Sequence, residues 1–171
     1  FKDNSSNNYD VYGQHILFGG NLDFGPSGVE IASGTGDQQL SSVAYNDEEH
    51  LVFVCYETPD GSEIDLYCNE VMLSTQTVGS VHVMSSNEDN QQSPFVFWSA
   101  HSHSFMIAWE DSRSSLGVQS IFFYNVDSTL PLGGSPLTLY VDQKQEIPII
   151  EQYTDDSFVI IWEDYRSTGK E

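Results

Sequence analysis

Two copies of one short string carry the side chains best suited to chemistry in this sequence. Trp109-Glu110-Asp111-Ser112-Arg113 returns 53 positions later as Trp162-Glu163-Asp164-Tyr165-Arg166, and the two strings hold the chain's only arginines. As a ligand site, each would offer an indole face for a sugar ring to stack on and carboxylates as hydrogen-bond acceptors. The packing alternative is stronger. Turn aspartates bond their own backbone, a planar guanidinium bridges neighbouring carboxylates, and tryptophan fills the space between sheets. Trp109, Asp111, Arg113, Trp162, Asp164 and Arg166 are therefore expected to be architectural.

The remaining candidates are weaker. Acidic turns at Asp60-Gly61-Ser62-Glu63-Ile64-Asp65, Asn87-Glu88-Asp89-Asn90 and Asp155-Asp156 supply the oxygen ligands calcium prefers, but none has the spacing of a calcium-binding hand. Structural calcium is one way to relieve their charge, and solvent counterions are the other; no other cofactor is expected. His101-Ser102-His103 offers alternate imidazoles to zinc or copper, yet no third ligand stands nearby, so a solvated turn is the simpler reading. His15, His50 and His82 have no nucleophile beside them, and two arginines in equivalent positions do not suit a sialidase-type cluster. No enzymatic activity is expected.

Charge narrows the partners. The 171 residues include 5 Lys and Arg against 26 Asp and Glu, a formal net charge of −21, which repels phosphate backbones and anionic lipid. Nucleic acid is a poor partner for such a chain. With 39% hydrophobic and 13% aromatic residues, it is too apolar for a disordered acidic tail. No apolar run reaches the length of a membrane-spanning helix, so membrane insertion is not expected. The start, Phe1-Lys2-Asp3-Asn4, is neither a signal peptide nor an initiator Met, and reads as the end of a processed or excised chain.

The elements that must position these side chains come from self-similarity. Phe105-Met106-Ile107-Ala108-Trp109 matches Phe158-Val159-Ile160-Ile161-Trp162, and a weaker copy is Leu51-Val52-Phe53-Val54-Cys55-Tyr56-Glu57, with Tyr56 in the tryptophan position. The chain thus reads as a single repeat domain over 1–171, with units of approximately 1–55, 56–108 and 109–161 and the start of a further copy at 162–171. Gly, Asn, Asp and Ser turns bound twelve predicted strands, and no helical period is present. The strands are Tyr9–Ile16, Val29–Ser33, Val43–Tyr45, Leu51–Tyr56, Glu63–Val71, Val81–Ser85, Phe95–Trp98, Phe105–Trp109, Gln119–Val126, Leu137–Val141, Ile147–Glu151 and Phe158–Trp162. Leu51–Tyr56, Phe105–Trp109 and Phe158–Trp162 are apolar on both faces, as in sheets stacked between neighbours.

Four-stranded units, a period near 50 and burial on both faces together predict an all-β, β-propeller-like fold. Each chain would supply three four-stranded blades, cut so that both termini are half-blades. Pro94 and Pro148 are expected at strand starts. Three blades do not close around an axis. The strand ending at Trp162 and the strand Tyr9–Ile16 each present an edge, and each is the natural partner of the other. Tyr9, Val11, Gln14, Phe158, Ile160 and Trp162 are the expected assembly-edge residues.

A turn centred between Gly61 and Ser62 sets Cys55 opposite Cys68, within disulfide reach, which predicts a bridge and an extracellular or cell-surface location. The alternative is two free, packed thiols. Asn4-Ser5-Ser6 is the only N-glycosylation sequon, so Asn4 is the expected acceptor if the source is eukaryotic.

The strings Tyr9-Asp10-Val11-Tyr12-Gly13-Gln14, Val43-Ala44-Tyr45-Asn46 and Leu51-Val52-Phe53-Val54, with both Trp-Glu-Asp-x-Arg copies, resemble a propeller-like repeat common in large secreted and surface proteins. The resemblance implies extracellular proteins of adhesive or structural use and names no reaction. Cys68 and Phe123 stand where that family has glycine. The leading expectation is a structural or adhesive extracellular protein that binds itself head to tail, as a filament or a ring. The alternatives are a carbohydrate-binding module, whose partners would be glycans, and a fragment of a larger surface propeller protein.

Overall fold

Glycines, Asx turns and proline-marked bulges punctuate this chain, and between them the backbone is extended. The structure, a computed structural model, describes residues 8–86, 88–113, 119–127, 137–138, 144–155 and 157–165. The strands are β1 (Val11–Gly13), β2 (Val29–Ala32), β3 (Gln39–Asn46), β4 (Leu51–Asp60), β5 (Glu63–Met72), β6 (Thr77–Ser85), β7 (Gln91–Ser99), β8 (Ser104–Asp111), β9 (Ser120–Asp127), β10 (Leu137–Thr138), β11 (Gln145–Thr154) and β12 (Ser157–Asp164), and among the described residues there is no helix. The fold is all-β.

All pairings are antiparallel. β3-β4-β5-β6 and β7-β8-β9-β10 form two four-stranded meanders, while β1-β2 and β11-β12 form two-stranded sheets. Among the described residues the sheets are small and open, and no closed ring is present.

Local chemistry sets the turns. Gly61, at φ 64°, supplies the left-handed residue of the two-residue β4–β5 loop. Asn46 Oδ1 accepts the N–H groups of Glu48 and Glu49 at 2.9 and 3.1 Å to close the β3–β4 turn. β1 is shorter than the predicted Tyr9–Ile16 strand because Gln14 turns the chain outward: its Nε2 donates to Gly25 O at 2.6 Å and its Oε1 accepts from Phe24 N–H at 3.0 Å. Pro94 and Pro148 lie inside β7 and β11 rather than at strand starts. Each follows a residue at positive φ, Ser93 at 52° and Ile147 at 54°, within a bulge that spares the proline a ladder hydrogen bond.

Three apolar clusters hold the sheets in series. Val11, Ile31 and Ala32 of β1-β2 pack on Val54, Tyr56 and Val71 of the β3–β6 sheet. The opposite face of that sheet, with Phe53, Cys55, Leu66 and Met84, packs on Phe105, Ile107, Trp109 and Phe122. The far face of the β7–β10 sheet, with Met106, Ala108 and Ile121, meets Ile150, Phe158, Ile160 and Trp162. β4 and β8 are thus buried on both faces, and β7 lies against β3 on one side and β11 on the other.

Candidate functional site

The Trp-Glu-Asp-x-Arg string closes on itself. Trp109 is fully buried and its Nε1 donates to Asp111 Oδ2 at 3.0 Å. Asp111, also buried, accepts Arg113 N–H at 3.0 Å and Nε at 2.8 Å, and pairs with Nη2. That guanidinium reaches across to Ser85 Oγ of β6 at 2.6 Å and lies 4.6 Å from the Phe122 ring centroid. The arginine therefore ties the second meander to the first. Trp162 repeats the indole bond, to Asp164 Oδ2 at 3.3 Å. Arg166 and Asn4 lie outside the described residues.

Glu110, between them in sequence, is buried and takes three N–H donors: Ile147 N at 2.8 Å, Gln92 Nε2 at 3.0 Å and Gln119 Nε2 at 3.2 Å. Glu57 takes Ser93 N–H at 2.8 Å from the following meander. Both bonds fall on the bulge residue of the next sheet's first strand. Backbone bonds also recur at matching positions: between sheets, Gln38 N–H to Tyr9 O at 2.7 Å and Gln145 N–H to Gln119 O at 2.9 Å, and within sheets, at the ends of the β7-β8 and β11-β12 ladders, Ser112 N–H to Asn90 O and Tyr165 N–H to Lys144 O, both at 3.0 Å.

Cys55 and Cys68 are directly opposed in the β4–β5 ladder and form a disulfide, with Cα atoms 4.1 Å apart and both residues buried. Tyr56, one residue along, donates its hydroxyl to Asn69 Oδ1 at 2.7 Å, and burial, with Tyr67 beside it, pushes that hydroxyl's pKa up to about 12. Near the hairpin tip, burial and the adjacent Asp60 charge raise the Asp65 carboxyl above the usual carboxylate range, although Tyr67 donates to it at 3.4 Å.

Three of the histidines each meet a polar side chain. His103 Nδ1 is 2.7 Å from Glu48 Oε2, His15 Nδ1 2.9 Å from Asp23 Oδ2, and His50 Nδ1 2.9 Å from Tyr45 Oη. Among the described residues no three His, Cys, Asp or Glu side chains converge to hold a metal ion.

The two ends of the sheet series are different. Among the described residues β12 pairs only with β11 and β1 only with β2. Phe158, Ile160 and Trp162 turn inward onto the β7–β10 sheet, whereas the outer face of the hairpin exposes Ile147 (53%), Ile149 (47%), Val159 (41%) and Ile161 (61%). At the other end Val11 is buried, Gln14 is spent on its loop, and Tyr9 precedes the strand with its N–H on Asp37 Oδ1 at 2.8 Å. Beside β1 runs an apolar cleft of ≈ 280 Å³ walled by Val11, Gly13, Ile31, Val43, Val52 and Val54, and Val43 on its rim is 55% exposed. Ile147, Ile149, Val159, Ile161, Val43 and Val52 were not singled out from sequence. Their signal was the apolar character of both faces of the strands that bear them.

A separate exposed hairpin carries Ile16, Leu17 and Leu22, with Phe18 at its tip, shaped by Gly19 and Gly20 at positive φ.

The chain matches no protein-family model, no curated protein and no solved structure. Among the described residues no helix is long and apolar enough to cross a membrane.

Proposed function

We propose that this chain is a non-enzymatic, extracellular structural or adhesive protein whose sheets act as propeller-like blades and which associates head to tail by completing split blades. The observation that carries this reading is the strand inventory of the sheets. Two complete meanders are flanked by a two-stranded sheet at each end, and the recurring backbone bonds, between and within sheets, support reading β1-β2 as a third and fourth strand and β11-β12 as a first and second. Joined edge to edge, β12 of one copy and β1 of the next make one four-stranded sheet. If the rotation closes, two copies form a six-bladed ring, and if not, the same contact propagates as a filament.

The apolar outer face of β11-β12 favours this reading, because such a face is found where a second sheet covers it. The buried Cys55–Cys68 disulfide supports an oxidising compartment. The motif acids support an architectural role, since Asp111 and Glu110 are engaged within the protein. A second reading draws on the same observation: the missing strands come from further repeats of a longer polypeptide, so that completion is intramolecular.

Sedimentation velocity over a dilution series separates the two. Concentration-dependent species heavier than the 19.2 kDa chain are expected. A single monomer boundary at every concentration would overturn self-association and leave completion by a longer chain.

A further inference from the structure

The positions of the strands carry the self-association reading one step further, to the face that receives the incoming hairpin. In the two meanders and the β11-β12 hairpin, Ser42, Phe95 and Ile149 hold one position, opposite Cys55, Ala108 and Ile161. Val43, Val96 and Ile150 hold the next. Within the chain, residues of the first set meet residues of the second from the following sheet. Ser42 Oγ accepts Val96 N–H at 3.0 Å, and Phe95 packs on the cluster that buries Ile150. Ile149 and Val43 are the members left over, one at each end, and both are exposed.

A second pair behaves alike. Phe53 stacks on Phe105 across the first sheet interface, with ring centroids 4.7 Å apart, and Met106 shares a cluster with Phe158 across the second. Each of these four residues stands 53 positions from its counterpart, and the same spacing leaves Val159 and Val52 over. Val52 lines the cleft beside β1.

The third series is polar. Glu57 and Glu110 hold the N–H of the bulge residue in the next sheet, Ser93 and Ile147. Glu163 is the next glutamate at that spacing and is exposed, and residue 40 follows Gln39 as Ser93 follows Gln92 and Ile147 follows Glu146.

From these three series we infer that the cleft between β1 and the β3–β4 face is the seat of the β11-β12 hairpin of a second copy, with Ile149 on Val43, Val159 on Val52 and Glu163 accepting the residue 40 N–H. The inference rests on the self-association reading and adds a face contact to its edge pairing. The seat continues the interface that Val11 and Ile31 already make on the same face of the β3–β6 sheet. The register that pairs Cys55 with Cys68 and Ala108 with Phe123 would set Ile161 of one copy opposite Gly13 of the next, which bears no side chain of its own and is flanked by Ile31. Burial of four branched aliphatic side chains per contact then drives docking against the repulsion of two acidic copies.

The test is oxidative cross-linking of the full chain carrying Val43→Cys and Ile149→Cys, beside a control carrying Val81→Cys and Ile149→Cys. Val81 is as exposed as Val43 but lies on β6, away from the seat, and the native disulfide is buried and does not exchange readily. Covalent dimers from a closed ring, or a ladder of covalent multimers from a filament, are expected with the first pair and neither with the control, together with about tenfold weaker association of Glu163→Ala in the unmodified background. Chains that associate but give no covalent product, or an equal yield with the control, overturn the docking face while self-association stands. Chains that never associate overturn both.

Discussion

The backbone N–H of Ile147 donates to Glu110 Oε1 at 2.8 Å, so a buried carboxylate of one sheet holds the bulge that opens the next. Ser93 and Glu57 make the same bond at the preceding interface, also at 2.8 Å. These contacts set the spacing between sheets by polar geometry, which the apolar clusters alone would leave free to slide.

Replacing Glu110 with Ala strands three N–H donors in a buried site, those of Ile147, Gln92 and Gln119. A loss of about 3 kcal/mol in unfolding free energy is expected from urea titration, because each orphaned donor costs about 1–3 kcal/mol and some regain water. Glu110→Gln keeps an acceptor and should lose less.

Asp111→Ala should be at least as damaging. It removes the partner of Arg113, whose guanidinium is packed on Phe122 and bonded to Ser85, and breaking such a buried pair costs about 3–5 kcal/mol. The same substitution tests the architectural assignment of the motif. If stability were unchanged while sugar binding disappeared on a glycan array, the carbohydrate-binding reading would replace it.

The Cys55–Cys68 bridge closes a short hairpin, the two cysteines standing 13 positions apart. Loop-closure entropy assigns it about 3 kcal/mol. The double variant Cys55→Ala, Cys68→Ala should show that loss in urea unfolding, and reductant should have little further effect on it.

Much of this architecture was legible in the residues. Turn chemistry placed the strands, and the turn at Gly61 and Ser62 fixed the register that opposes Cys55 and Cys68, because a two-residue loop leaves only one register. Apolar residues on both faces of Leu51–Tyr56 and Phe105–Trp109 announced sheets packed on two sides. Burial of Glu110 was not legible, since a glutamate beside Asp111 reads as surface charge until donors from β7, β11 and the chain before β9 are brought to it. Pro94 and Pro148 are expected at strand starts but stand within β7 and β11, because the bulge that admits them inside a strand depends on the partner strand. Phe158, Ile160 and Trp162 were read as edge residues. They lie on β12, which pairs only with β11 among the described residues; their side chains face inward, and strand alternation puts those of Val159 and Ile161 on the outer face.

Asp65 makes stability depend on pH in a defined direction. Burial and the charge of Asp60 raise its carboxyl in the folded state, so the folded chain holds that proton more tightly than the unfolded chain. The favourable contribution is full below the ordinary aspartate value of about 4 and is lost as pH rises through the raised value. Asp65→Asn should therefore raise Tm at neutral pH and lose that advantage in acid, as read from thermal melts across pH.

Salt should strengthen association. Two copies at −21 repel, and the screening length falls from about 30 Å at 0.01 M to about 3 Å at 1 M ionic strength. Sedimentation should show larger species as sodium chloride rises. A contact built mainly on ion pairs would respond in the opposite sense.

Electron microscopy of the full chain in negative stain, at micromolar concentration and moderate salt, tests the central claim most directly. Extended polymers, or discrete rings of two copies and six sheets, are the expected result. A uniform field of single 19.2 kDa particles would contradict the completion of split sheets between copies.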